Sequence, residues 1–339
     1  MKKFSLQDIS NSLNISKSTI SIVLNGRGDE KRVSKDTQEK ILKFAKEHNY
    51  KANQLARGLS RGKSDMIGLV IPNIADNFYA RIARRIELKA EEFGYNVLFS
   101  STGESKERES KLIRSMLDRQ VDGLIIASSQ KNEEDIKRLK RNSIPFVLVD
   151  RHYPNIETNY VIMDNYYGTS SAVERLIKQG RKRIGFISLK PGLEAMKERL
   201  DGYSQTLEKH RLPIKANFIQ ELEYESIEMI MPQIIKKMVQ FPCSIDGIVF
   251  ATHFLAAAGI RELKKLNVRI PIDVAIVSFG QLSAFDLIEP PITFLQLPSN
   301  EIGDKAVDIL LKNMRGKAAG FEKVCLKADL VVRKSCGKL

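Results

Sequence analysis

Residues 5–26 read SLQDISNSLNISKSTISIVLNG, and this stretch predicts two short helices joined by a tight turn. Leu6, Ile9 and Leu13 recur at i, i+3 and i+7, which gives the first helix one apolar face. Ser5 followed three residues later by Asp8 has the form of a capping box and marks the helix start. Asn14-Ile15 supplies the turn, and Ser16 is placed to cap the second helix. That helix turns Ile20, Val23 and Leu24 inward and leaves Lys17, Ser18, Ser21 and Ile22 on the opposite face. A helix buried in a core has no use for a small, polar, singly cationic face. A helix whose first residues must reach base edges in a DNA groove does.

The flanking chain extends the module. Asn25-Gly26-Arg27-Gly28-Asp29 is a turn-rich loop. Ser34 then caps a third helix, with Ile41, Leu42 and Ala45 on its inner face and Lys35, Lys40, Lys43 and Lys46 largely outside. Residues 50–64, YKANQLARGLSRGKS, place Leu55 and Leu59 at i, i+4. Gly58 and Gly62 oppose a helix by roughly 1 kcal/mol each relative to Ala. The segment reads either as a flexible basic linker or as a hinge that becomes helical only on DNA beside a partner copy.

Charge is concentrated here. Of the net +14, residues 1–63 hold +8 (14 Lys/Arg against 6 Asp/Glu), and the other 276 residues carry only +6. A basic field beside a recognition helix suits phosphate binding. The opening MKKFSLQD has cations with no apolar run behind them, so no secretory signal is expected, and no run reaches membrane-span length. Cys243, Cys325 and Cys336 are odd in number and widely spaced, which suits a reducing cytoplasm and makes no metal or disulfide framework.

From Met66 the pattern becomes alternating strand and helix. MIGLVI, YNVLFSS, GLIIASS and FVLVD form one series, and YVIMDN, RIGFISL, GIVFAT and VAIVSF a second. This predicts α/β lobes with parallel sheets and right-handed crossovers. Neither series carries GxGxxG after its first strand, which disfavours a dinucleotide fold. Residues 324–330 alternate as an outer strand should.

The stretch at 5–26, followed by YKANQLARGLSRGKSDMIGLVIP, resembles the headpiece, hinge and first core strand of the lactose/galactose repressor (LacI/GalR) family. The resemblance continues through IGLVIPNIADNFYARIARRIE, QVDGLIIASS, GRKRIGFISL, ERLDGYSQTL, IPIDVAIVSFG, PPITFLQLP and LVVRKS. It implies a helix-turn-helix headpiece at 1–50, a hinge at 51–63, and a periplasmic-binding-protein-like core at 64–339 that binds effector and dimerises. Lobe one is expected at about 64–162 plus 292–325, lobe two at about 163–291, with three chain crossings. The resemblance further implies base reading by Lys17, Ser18 and Ile22. It places Ser5, Ser16, Ser21, Asn25 and Arg57 at the DNA, with Leu59 as a minor-groove wedge.

Carried onto this chain, the family's cleft positions fall at Phe78, Tyr79, Arg151, Arg199, Thr252, His253, Gly280 and Gln281. Two departures stand out. Sugar-binding members commonly have Asn-Asp where this chain has Thr252-His253, and an Asp where it has Gly280. With Arg151 and Arg199 retained and those carboxylates gone, the resemblance implies an anionic effector, a sugar phosphate before a neutral sugar, and a role in carbohydrate metabolism.

The expected function is therefore a cytoplasmic, homodimeric, ligand-controlled repressor acting on palindromic operator DNA, with no cofactor, metal or membrane. A regulator controlled by a partner protein remains the alternative. An exported solute-binding protein would need a leader and no headpiece. An enzyme is disfavoured because no GxSxG, P-loop, HExxH or clustered metal-ligand spacing occurs. No heptad tail follows Ser335, so a tetramer is not expected.

Overall fold

The structure is a computed structural model that describes residues 5–48, 50, 63–190, 192–240, 244–316 and 320–337. It divides into two units, Met1–Asp65 and Met66–Leu339. The expected hinge, with Arg57 and Leu59, lies outside the described residues, as does Cys243.

Among its described residues the first unit holds three helices: α1 (Leu6–Leu13), α2 (Lys17–Leu24) and α3 (Lys35–Glu47). The capping box is formed: Asp8 N–H donates to Ser5 Oγ (3.2 Å) and Ser5 N–H to Asp8 Oδ2 (2.7 Å). Thr19 N–H likewise donates to Ser16 Oγ (3.2 Å) at the start of α2. Asn14 ends α1 at φ 51°, a left-handed conformation that Asn tolerates. Ile9, Ile20, Val23 and Ile41 are the fully buried centre. Leu42 is 51 % exposed, against expectation; Phe44, one turn past Ile41 on the inner face, packs on the core in its place.

Among its described residues the second unit has two six-stranded sheets. In sheet one, β1 (Met66–Ile71), β2 (Asn96–Ser101), β3 (Gly123–Ile126), β4 (Phe146–Val149), β5 (Tyr160–Met163) and β11 (Lys323–Leu326) lie in the order β11-β5-β4-β3-β1-β2, all parallel. In sheet two, β6 (Ile184–Leu189), β7 (Ile219–Leu222), β8 (Gly247–Phe250), β9 (Ala275–Phe279), β10 (Thr293–Gln296) and β12 (Asp329–Val331) lie in the order β12-β10-β9-β8-β6-β7, with only β12 antiparallel.

Both faces of each sheet are covered, which is why the strands read as continuous apolar runs. On β1, Ile67, Leu69 and Ile71 pack beneath α4 (Asn77–Glu91) and α11 (Ser299–Met314), while Val70 faces α5 (Lys106–Asp118) and α6 (Glu133–Arg141). In lobe two, α7 (Asn165–Lys178) and α8 (Glu194–Lys209) cover one face, and α9 (Ile227–Val239) and α10 (His253–Lys265) the other. α7 and α8 cross so closely that a Cβ at Gly202 would stand 2.5 Å from Tyr166 O.

Three expectations are corrected. YVIM (β5) belongs to the first sheet, between β4 and β11, not to the second series. β10, inside the 292–325 segment expected in lobe one, pairs with β9 in sheet two, so that crossing falls after Gln296. The single outer strand expected at 324–330 is two short edge strands, β11 and β12, one in each sheet. The chain thus passes between the lobes at 163–165, 296–299 and 326–329.

Candidate functional site

In parallel sheets the carboxyl ends of strands open onto a crevice, because each strand there hands over to a loop that starts a helix. The carboxyl ends of both sheets border one cavity of about 480 Å³. After β1 stand Asp76, Phe78 and Tyr79; after β2, Glu104; after β4, Asp150 and Arg151. From lobe two come Met196 and Arg199 on α8, Tyr224 after β7, Thr252 and His253 after β8, and Phe279 closing β9.

Arg151 and Arg199 both line this cavity but are not equivalent. Arg151 is buried and already neutralised. Its Nη1 and Nη2 donate to the two oxygens of Glu104 at 2.8 Å each, Nη1 also reaches Ser128 O (3.1 Å), and Nε lies 3.4 Å from Asp150 Oδ2. Tyr79 completes the group by donating its hydroxyl to Asp150 Oδ2 (2.7 Å). Arg199 is 7 % exposed and lies flat on Phe279, its guanidinium carbon 3.7 Å from the ring centroid. Its Nε donates to Asn165 Oδ1 (2.9 Å) and Nη1 to Ala251 O (2.6 Å). Both acceptors are neutral, and among the described residues no carboxylate lies within ion-pair distance of it. Burial accordingly pulls its pKa down to about 10.

The expected cation excess is therefore corrected. Asp76, Glu104 and Asp150 bring carboxylates into the cleft, from loops whose sequence carries no repeat or motif to flag them. Of the two arginines only Arg199 is left without a carboxylate partner; Lys131 also lines the cavity with no carboxylate in ion-pair distance among the described residues.

Thr252 caps α10, accepting from Leu255 N–H (3.3 Å). His253 is buried beside it, with Nε2 3.9 Å from Asp76 Oδ2 on the opposite lobe. Burial pushes the imidazole pKa down; Asp76 opposes this, and Arg199 and Arg81 reinforce it. Gly280 and Gln281 lie beside the cavity rather than on its wall. Gly280 has φ +88°, and a Cβ there would meet His253 Nδ1 at 3.3 Å. The two departures from the sugar-binding pattern are thus one: an Asp at 280 would crowd the room His253 fills. Gln281 belongs to the seam between lobes, where its carbonyl accepts from Asn77 Nδ2 (3.1 Å). Gln130 crosses a second seam, accepting from Glu194 N–H (3.0 Å) while donating to His152 O (2.7 Å).

On the first unit, Ser5, Ser16, Lys17 and Ser18 are exposed, and Ser21, Ile22 and Asn25 half-buried. Asn25 ends α2 by donating from Nδ2 to Ser21 O (2.7 Å) and Ser21 Oγ (3.3 Å), so both side chains serve the helix end. Lys17, Ser18 and Ile22 remain as the outward face. Among the described residues no His, Cys, Asp and Glu group could hold a metal ion, and no helix is long and apolar enough to cross a membrane.

Residues 5–53 match the model of bacterial regulatory proteins of the lacI family, and residues 64–333 that of periplasmic binding proteins and the sugar binding domain of the LacI family. The ribose operon repressor of Halalkalibacterium halodurans is 29 % identical over 97 % of this chain and 96 % of its own length. Catabolite control protein A of Priestia megaterium is 28 % identical over 97 % and 98 %. Among solved structures, the lac repressor dimer bound to operator and the anti-inducer ONPF superposes with a TM-score of 0.88 at 23 % identity, over 99 % of this chain and all of that one.

Proposed function

The chain belongs to the LacI family of DNA-binding transcriptional regulators, and from that premise we propose that it is a cytoplasmic, homodimeric repressor of operator DNA. A small polyhydroxylated ligand, a sugar or sugar phosphate, sets its DNA affinity from the cavity between the lobes. The observation that carries the ligand reading is Arg199: a buried arginine on the cavity wall, stacked on Phe279 and held by neutral acceptors alone. Such a group gains most from a ligand that brings either a negative charge or a pair of hydroxyls. The Arg151–Glu104–Asp150–Tyr79 group offers both donors and acceptors for the remaining hydroxyls, and Phe78 an aromatic wall.

The lobes share a two-state logic. Ligand that bridges Arg199 on lobe two and Arg151 on lobe one favours one spacing of the lobes, and the seams at Gln130 and Gln281 are where that spacing registers. Lys17, Ser18 and Ile22 read bases, while Ser5, Ser16, Ser21, Asn25 and Arg57 sit at the DNA and Leu59 enters the minor groove.

Calorimetry with matched neutral and phosphorylated sugars tests the reading. One member should bind, and Arg199→Ala should weaken it by roughly 10- to 100-fold, the worth of a charge-assisted hydrogen bond or two, with operator binding intact. Failure of every sugar, alongside an operator response to a bound protein partner, would replace the ligand by that partner.

A further inference from the structure

The end of lobe two that faces away from the cleft is strongly basic. Strands β6, β7, β8 and β9 are parallel, so their starts and the ends of the intervening helices share that end. Hydrogen bonds tie it together. Arg181 reaches Pro271 O, Lys182 and Arg183 N–H reach the Asp246 carboxylate, and Ile245 N–H reaches Met238 O. Four cations on it are matched to carboxylates: Lys209–Glu174, Lys265–Glu262, Arg269–Asp273 and Arg183–Asp246. Six more, Lys178, Lys182, Arg211, Lys236, Lys237 and Lys264, are exposed with no carboxylate in ion-pair distance among the described residues, as is Lys215, which lies over the Phe218 ring.

Helix dipoles favour cations at helix ends, but that holds in both lobes. The matching end of lobe one is more evenly mixed: Glu91, Asp118 and Asp122 stand among its cations, where the lobe-two end adds only Glu208 to its paired carboxylates among the described residues, and Lys312 and Lys323 are tied to Glu322 and Glu157. The excess on lobe two therefore has another cause.

We propose that this end of lobe two is a second, sequence-independent DNA-contact surface, able to hold a second duplex segment while the headpieces occupy an operator. The free cations come from three helix ends and two loops spread across the lobe. That breadth matches a duplex backbone better than a short acidic peptide, which needs one groove. Five of the six are lysines, point charges suited to phosphates rather than to base edges. The proposal rests on the operator-binding reading only for the first duplex.

The test uses full-length protein saturated with unlabelled operator, titrated with a labelled random-sequence duplex and followed by sedimentation. A second duplex should bind, its affinity falling about 10³-fold between 50 and 200 mM salt if some six phosphates are neutralised. Lys236→Glu/Lys237→Glu/Lys264→Glu should weaken the second duplex at least tenfold and leave operator affinity unchanged. Lys178→Gln/Lys182→Gln, a milder variant, should do the same in part. Saturation at the operator alone, or equal second-duplex binding by both variants, overturns the proposal. So does equal displacement by a polyglutamate of matched charge or by anionic vesicles, which would assign the surface to a protein or a lipid. Loss of operator binding itself in the wild type would instead overturn the function proposed above.

Discussion

Arg151 grips Glu104 with two prongs, each Nη of the guanidinium 2.8 Å from a different carboxylate oxygen. The pair decides how much charge the cavity shows a ligand. Glu104 is 45 % exposed while Arg151 is buried, so the pair is anchored from the arginine side.

Removing the negative partner should change ligand preference. Glu104→Gln keeps the shape and one acceptor but frees a positive charge, so affinity for a phosphorylated ligand should rise about tenfold relative to its neutral counterpart, the effect of one charge at several ångströms in a medium of intermediate dielectric. Arg151→Ala should act in reverse and also lower stability by about 2 kcal/mol, less than the roughly 3–5 of a fully buried pair. Paired calorimetric titrations check the first claim and urea melts the second. An equal shift for both ligands would show that charge is not what the pair controls.

Acid should destabilise the core through His253. The folded protein holds this imidazole below its usual pKa, because burial and the nearby Arg199 and Arg81 outweigh Asp76. The unfolded chain takes up the proton first, near pH 6.5. Stability is then unaffected above that pH and declines as pH falls through 6.5 toward the folded value. His152, lowered by burial, acts in the same direction. Thermal melts from pH 8 to 5 should slope downward, less steeply in His253→Gln and least in the double variant; identical slopes in all three would exclude these histidines.

Gly202→Ala should cost about 1–3 kcal/mol, the range for overpacking a tight contact. The obstacle is Tyr166 O, 2.5 Å from where the methyl would go, and a backbone oxygen on a packed helix cannot swing aside. A shift of the urea midpoint with no change in slope is the expected reading. Gly94→Ala meets no neighbour, so any loss there would come from its left-handed φ of +80° alone.

At the headpiece, Lys17→Ala and Ile22→Ala should change which operators bind, because both lie on the outward face of α2. Ser5→Ala should cost about 1 kcal/mol through the lost cap and weaken all sequences alike. Selection from a randomised operator library separates the two outcomes. An unaltered consensus for the Lys17 and Ile22 variants would take them off the reading surface.

Much of this architecture was legible in the chain. Caps and helical period marked α1 to α3, since a capping box is local chemistry. Unbroken apolar runs marked most strands, since strands covered on both faces need them. β7 (IQEL) escaped because it is a short edge strand with two polar residues. The apolar pattern alone could not place β5 and β10, because both sheets want the same residues and only pairing decides which takes a given strand; the lobe-one bound near 162 that the resemblance implied agrees with the sheet for β5, and the bound at 292 does not for β10. In the site, Arg151 and Arg199 were readable as residues but not as charges. Glu104 and Asp76 come from loops, where position is set by the fold and not by any period.

The route of the chain also sets an order of events during synthesis. Residues 5–48, which complete all three headpiece helices, emerge long before either sheet can be finished. Sheet one waits for β11 at 323–326 and sheet two for β12 at 329–331, so both lobes keep an unfilled edge until the same late stretch leaves the ribosome. A nascent chain therefore carries a finished DNA-reading module on an unfinished switch.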